Sequence, residues 1–258
     1  MQECTVDEQQ TVIEAFSTLA PSYEQTVDHE LRLFWGIGYR DFVDRLLSWV
    51  ELDAAEGVLD VATGTGVIPL ALARRPGWKS KIIGLDITPS MLERGRQALA
   101  GRAAFIDLVC GSGMEMPFAP ATFDLAICCL GTHHMDVPRL MAEMARVLRP
   151  GGRLVMADVC ATRFWRSPAG MMMLRGLLFF YTLSLRVSRR RGVEAAGLSM
   201  SRERAQAEID SFANIRTAAE WRQLLAETGF VQIETQEITA LRRLYPGGLI
   251  LRALRNPI

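Results

Sequence analysis

Apolar residues along this chain follow two patterns, and the change from one to the other marks the architecture. Over the first fifty positions they recur at the three- and four-residue spacing of amphipathic helices. Two helical stretches are expected there, over 7–19 and 29–50. The second places Leu31, Phe34, Trp35, Phe42, Val43, Leu46 and Leu47 on roughly one face, as a helix covering another layer would.

From residue 57 the pattern changes. Continuous apolar runs of strand length, GVLDVA, KIIGLDI, AAFIDLVC, FDLAICCL and RLVMADV, are interspersed with the helix-like stretches VIPLALARR, PSMLERGRQALA and VPRLMAEMARVL. Strands apolar on both faces are what a parallel sheet covered on both sides requires, so the chain predicts a doubly wound α/β fold. Pro89 and Pro138 fall in first turns of helices, where the missing N–H leaves nothing unpaired. Pro150-Gly151-Gly152 stops a helix before the next strand. The alternation lapses after Val159 and resumes with a helix over 218–227 that Gly229 ends. An alternating strand over 231–238 and a short one over 248–253 complete a Rossmann-like sheet. The expectation is one domain spanning 1–258: a helical cover (1–50), a core (51–160 and 217–258), and a helical insertion (161–216) after the fifth strand, over the carboxyl edge of the sheet.

The chain has 258 residues, 49% of them apolar, which is enough for one sizeable core. Lys plus Arg and Asp plus Glu number 29 each, so no net field draws the protein to nucleic acid. Cys4, Cys110, Cys128, Cys129 and Cys160 form no CxxC pair, and three lie inside apolar runs. They read as reduced thiols. The polar, acidic MQECTVDEQQ is unlike a secretory signal, and the cytoplasm is the expected compartment.

In open α/β sheets ligands bind beyond the carboxyl ends of the strands. The first such end is VLDVATGTG, where Gly64 and Gly66 allow a bend with positive φ and a close backbone approach. Asp86, twenty residues after Gly66 at the end of the next strand, can accept both hydroxyls of a ribose. The third glycine of a dinucleotide fingerprint is replaced by Pro69, which argues against a nicotinamide oxidoreductase. Asp60, before the bend, would repel a pyrophosphate but can anchor the loop or a ligand's ammonium group. S-adenosylmethionine, a sulfonium with an amino group and no phosphate, suits these features.

VLDVATGTG, IGLDITPSMLERGRQ, the MPFAPATFDLAI run and MARVLRPGGRLVMADV together resemble the class I S-adenosylmethionine-dependent methyltransferases of the ubiquinone/menaquinone biosynthesis type. FSTLAPSYEQ is similar to the family's entry motif, which would make Tyr23 a ligand of the methionine carboxylate. The resemblance implies a seven-stranded class I sheet and S-adenosylmethionine as cofactor, with S-adenosylhomocysteine as product. It assigns Ala62, Thr63, Gly64 and Gly66 to the methionine part, Asp86 to the ribose, and Ile87 and Met91 to the adenine. Where the family has an acidic residue after a glycine, this chain has Gly111-Ser112, so the adenine amino group falls to Ser112 or to the backbone of Gly113 and Met114. Cys129 and Asp60 complete the cofactor set.

Methyl transfer from a sulfonium is an in-line displacement that chiefly needs alignment and exclusion of water. An acceptor with an acidic proton gains from a base. His133 and His134, after FDLAICCL at the same edge, are the catalytic candidates, against a purely structural role; His29 is a weaker, substrate-facing one. No metal is expected of them, since apart from nearby Asp136 no third ligand is evident.

The apolar segment 168–185, PAGMMMLRGLLFFYTLSL, approaches the length of a membrane span, but Arg175 interrupts it. It reads either as a core helix or as a lid whose Met171, Met172, Met173, Phe179, Phe180 and Tyr181 line a lipophilic acceptor pocket. Met172, Phe179 and Tyr181 lead as substrate contacts. A dimer surface and a peripheral membrane contact stay open. The basic run Arg186, Arg189, Arg190 and Arg191 reads first as a solvated helix end and, alternatively, as facing an anionic membrane. The expected function is methylation of a small lipophilic acceptor, quinone-like or a natural product, at carbon, oxygen or nitrogen. The alternative is a non-methylating rearrangement or cyclisation on the same fold.

Overall fold

The computed structural model describes residues 6–50, 57–99, 105–162, 164–165, 167–170, 172–173, 175–176, 179–180, 183, 202–212, 214–240 and 246–257. Cys4, Met171, Tyr181, Arg186, Arg189, Arg190 and Arg191 lie outside the described residues. The strands are β1 (Gly57–Val61), β2 (Lys81–Asp86), β3 (Ile106–Cys110), β4 (Phe123–Cys129), β5 (Leu148–Cys160), β6 (Phe230–Ile238) and β7 (Gly247–Arg255). They form one sheet in the order β3-β2-β1-β4-β5-β7-β6. The first five run parallel, and β7 pairs antiparallel with both β5 and β6. This is the seven-stranded class I arrangement expected from the sequence.

The apolar strands are covered on both faces. Val58, Ile82, Ile127, Val155 and Ile250 face one core, with α3 (Tyr39–Leu47) and α4 (Val67–Ala73) packed on it. Leu59, Leu85, Ala126, Met156 and Leu251 face the other, under α6 (Val137–Val147) and α8 (Ala218–Glu227). Phe42, Leu46 and Trp221 are fully buried, and a buried side chain of this kind contributes roughly 2–3 kcal/mol. The first proline expectation holds at α5 (Pro89–Ala98) and the second at α6, where Asp136 also caps the helix by accepting from the Arg139 N–H (3.1 Å). Thr217 and Glu220 form a capping box at the start of α8.

The N-terminal cover differs from the expected pair of helices. α1 (Val6–Leu19) leads through a short 3-10 turn into α2 (Tyr23–Trp35), which starts six residues earlier than the spacing suggested and stops before α3. Gly36 ends it in the left-handed region (φ 70°), its N–H bonded to the Arg32 carbonyl, a conformation that terminates helices. α7 (Arg202–Ser211), from the insertion, packs on α1 and on the turn Thr132–His134 at the carboxyl edge of the sheet. Arg204 of α7 ties it to the cover through Glu30 on α2 (2.7 and 2.8 Å).

Among the described residues no helix is long and apolar enough to cross a membrane. Cys128, Cys129 and Cys160 are buried free thiols, whereas Cys110 is exposed on edge strand β3.

Candidate active site

β1, β2 and β4 end around one cavity of about 720 Å³, counting its open mouth, and α1 closes it from above. That volume lies in the range of small-molecule sites. Asp86 closes β2, almost fully buried. Its Oδ2 accepts from the Gly64 N–H and its Oδ1 from the Thr88 N–H, each at 2.8 Å. Burial raises its proton affinity while these two bonds oppose the rise. The carboxylate therefore holds the glycine bend in place and keeps lone pairs free for ligand hydroxyls.

Gly64 (φ 55°) and Gly66 (φ 79°) adopt left-handed conformations. Ala62 (φ 56°) and Leu130 (φ 55°) do so too, without glycine's freedom, and both line the cavity at the ends of β1 and β4. Such strain costs roughly 1–2 kcal/mol per residue and gathers at functional sites.

Tyr23, Ala62, Gly64, Asp86, Ile87, Met91, Gly111, Ser112, Gly113 and Met114, all expected cofactor contacts, line the cavity together. Four expected cofactor contacts do not. Asp60 is buried on β1 and accepts from the Thr63 hydroxyl (2.6 Å), so both residues fix the bend from behind rather than face a ligand. Gly66 caps α4 behind the loop, facing Leu99. Cys129 points into the core beneath the N-terminal cover, as strand alternation dictates. Burial pushes the Asp60 carboxyl up to about 8, and its Oδ1 is buried without a hydrogen-bond partner.

The proposed substrate contacts also separate. His29 is exposed on α2, and Met172 and Phe179 are 74% and 61% exposed on the insertion; none lines the cavity. The apolar wall comes instead from Val12, Phe16, Leu130 and Met135. Gln9, Val12 and Phe16 share one face of α1 at spacings of three and four, a signal present in the sequence but without a visible target there. Leu130 carried no signal, since nothing about leucine announces a left-handed bend.

Of the two histidines, His134 lines the cavity, its ring edge-on to Phe16 at 5.0 Å. His133 sits behind it, its Nδ1 2.5 Å from Asp158 Oδ1 at the carboxyl end of β5. Asp158 Oδ2 accepts from the Thr132 N–H (2.7 Å) and from the Thr132 hydroxyl. Burial disfavours a charged His133, but Asp158 outweighs it and holds the imidazole above its ordinary value. For His134 burial and the neighbouring His133 act together, lowering it to about 3. The expectation that no third ligand stands near these histidines is corrected. Glu208 of α7 brings a carboxylate to them, with one donor atom from each of the three within 4.8 Å of the others. Asp136 is engaged as the cap of α6. Glu208 follows His134 by 74 residues, so sequence spacing could not announce the pairing.

An open sheet with one antiparallel hairpin strand, a glycine bend at β1 and a buried carboxylate at the end of β2 define the class I methyltransferase architecture. Residues 59–156 match the family described as "Methyltransferase domain". A demethylmenaquinone methyltransferase of Deinococcus radiodurans is 36% identical over 160 residues, 59% of this chain and 61% of that one. A ubiquinone/menaquinone biosynthesis C-methyltransferase UbiE of Geotalea daltonii is 31% identical over 176 residues, 67% of this chain and 70% of its own. The match spans 56–61% of the length of three of the curated relatives. Among solved structures, the [4+2]-cyclase SpnF superposes with a TM-score of 0.66 over 96% of both chains at 17% identity, a likeness of fold. The chain belongs to the S-adenosylmethionine-dependent methyltransferase family that includes the ubiquinone/menaquinone C-methyltransferases.

The lining fits the group this family implies. Among the described residues Asp86 is the one carboxylic acid in the lining and suits ribose hydroxyls, and Ile87, Met91 and Met114 offer apolar faces to a purine. Among the described residues no Lys or Arg lines the cavity, whereas a pyrophosphate would demand one.

Proposed function

We propose that this protein transfers a methyl group from S-adenosylmethionine to a small lipophilic acceptor. The observation that carries the reading is the pairing of the Gly64 bend with Asp86 through one hydrogen bond, in a cavity that no Lys or Arg among the described residues lines. When bound, S-adenosylmethionine supplies a methyl group on a positively charged sulfur. Asp86 holds the ribose, Ile87 and Met91 flank the adenine, and Ser112 with the Gly113 and Met114 backbone reaches its amino group. Tyr23 faces the methionine end; its ring lies 3.9 Å from where a Cβ on Gly64 would stand. Val12, Phe16, Leu130 and Met135 exclude water and orient an apolar acceptor beside the methyl group.

The names of the relatives support a quinone-like acceptor, and the apolar wall supports natural-product acceptors of similar character. Acceptor activation falls to the cluster of His133, His134, Asp158 and Glu208, which meets the cavity at His134. The buried free thiols suit a reducing compartment, and a cytoplasmic location is part of this reading.

Calorimetry with S-adenosylmethionine, followed by incubation of the protein with labelled cofactor and demethylmenaquinone-type acceptors, tests the proposal. A product heavier by one methylene, with release of S-adenosylhomocysteine, is the expected result. Binding with an isomerised product of unchanged mass would replace methylation by rearrangement. Absence of binding would end the reading.

A further inference from the structure

The cluster beside the cavity is built like a metal centre, and its parts come from three distant places. His133 and His134 lie on the turn after β4, Asp158 on β5 and Glu208 on α7. We propose that His133, His134 and Glu208 bind one divalent transition-metal ion of the zinc or iron(II) class, next to the acceptor end of the cavity. This deepens the proposed function, on which it rests, by assigning the cluster's means of activation.

Four observations carry it. The donor set of two imidazoles and one carboxylate matches metals of intermediate softness rather than magnesium or calcium, which take oxygen. His134 Nδ1 is buried without a hydrogen-bond partner, as a nitrogen reserved for a ligand would be. The Nδ1 of His133 is engaged by Asp158 at 2.5 Å, which leaves Nε2 for a ligand; a carboxylate behind the imidazole is the usual support of a metal-bound histidine. Local charge also favours a cation: Glu30 and Glu208 flank the Arg204 guanidinium, which bonds Glu30 and stands 3.8 Å from Glu208, and a third carboxylate, Asp158, engages His133. Donor atoms in a tetrahedral zinc site are about 3.3 Å apart with bonds of about 2.0 Å. One donor atom from each of the three residues lies within 4.8 Å of the others here, so the site needs to close by at most about 1.5 Å, a side-chain adjustment.

Three protein ligands leave a coordination position open. An acceptor hydroxyl entering past His134 would form an oxygen–metal bond there and release its proton to water. The ion stays divalent and nothing is oxidised or reduced.

The test uses the full chain, freed of any affinity tag and stripped with chelator. Cobalt(II) is titrated in while its visible absorption is read, and zinc affinity is measured by competition with a chromophoric chelator. One ion per chain is expected, with an intense low-symmetry cobalt band. Asp158→Asn should weaken zinc by about 10–100-fold and Glu208→Gln by at least as much. His134→Gln should change the cobalt spectrum. If a variant fails to fold, the wild-type spectrum and stoichiometry decide. A chain that binds S-adenosylmethionine yet shows no cobalt band and retains no zinc at about tenfold molar excess would overturn the proposal. Equal zinc affinity in wild type and Glu208→Gln would overturn it too. Failure of the methyltransferase reading is separate: it appears as lost cofactor binding, whatever the metal result.

Discussion

Replacing Asp86 by alanine removes a buried carboxylate that holds two backbone N–H groups, of Gly64 and Thr88, each at 2.8 Å. Hydrogen bonds to a charged group contribute about 1.5–3 kcal/mol apiece, and both donors would be left in a nearly dry site. The cofactor-free protein should therefore lose about 3–5 kcal/mol of stability, measurable by urea unfolding. The cofactor loses more than a scaffold. If the same carboxylate accepts both ribose hydroxyls, at least about 3 kcal/mol of binding disappears, or about a hundredfold in Kd. Calorimetry of S-adenosylmethionine binding reads this directly, at a temperature where the variant is folded. Asp86→Asn separates the two effects: its amide oxygen serves one of the two N–H groups while its NH2 faces the other, so it should fold better and still bind weakly. Affinity should also fall on acidification at a pH above the ordinary carboxylate range, because burial raises this group's proton affinity. An Asp86→Asn protein that binds within about threefold of wild type would refute the ribose assignment, since even one lost charged bond exceeds that.

Gly84→Ala puts a Cβ 2.7 Å from Thr63 Oγ1 and 2.8 Å from Leu108 Cδ2. It should displace Thr63 from Asp60, destabilise by about 1–3 kcal/mol and weaken cofactor binding; an unchanged melting temperature would contradict the packing described. Ala62→Gly relieves a left-handed conformation and should raise stability by about 1 kcal/mol with cofactor affinity retained, as denaturation and calorimetry can show. Asp60 titrates near 8 in the folded chain against about 3.9 when unfolded, so its contribution is full at low pH and is lost as pH rises through 8. Asp60→Asn should therefore gain on wild type by about 2 kcal/mol or more between about pH 5.5 and 8.5 in urea titrations; a stability difference independent of pH would show that Asp60 stays ionised throughout.

Local rules in the sequence settled the sheet and the meeting of the Gly64 bend with Asp86. Continuous apolar runs can be satisfied only by a sheet covered on both faces, and Pro89, Pro138 and Gly229 mark helix ends wherever they occur. The Gly64 bend and Asp86 belong to adjacent strands of one winding, so their meeting follows from chain order. Strand alternation, by contrast, sent Cys129 and Asp60 away from the cavity, and the Gly36 bend broke a helix that apolar spacing made continuous.

What the chain by itself determined, then, was every feature governed by neighbours within a strand, a helix or one βα unit. Tertiary structure alone decided which face of α1 became the cavity roof, that Leu130 would be forced into a left-handed bend, and that Glu208 would reach His133 and His134. Those outcomes depend on packing between segments tens of residues apart, where no periodicity or turn preference constrains the pairing and only the burial of complementary faces selects it.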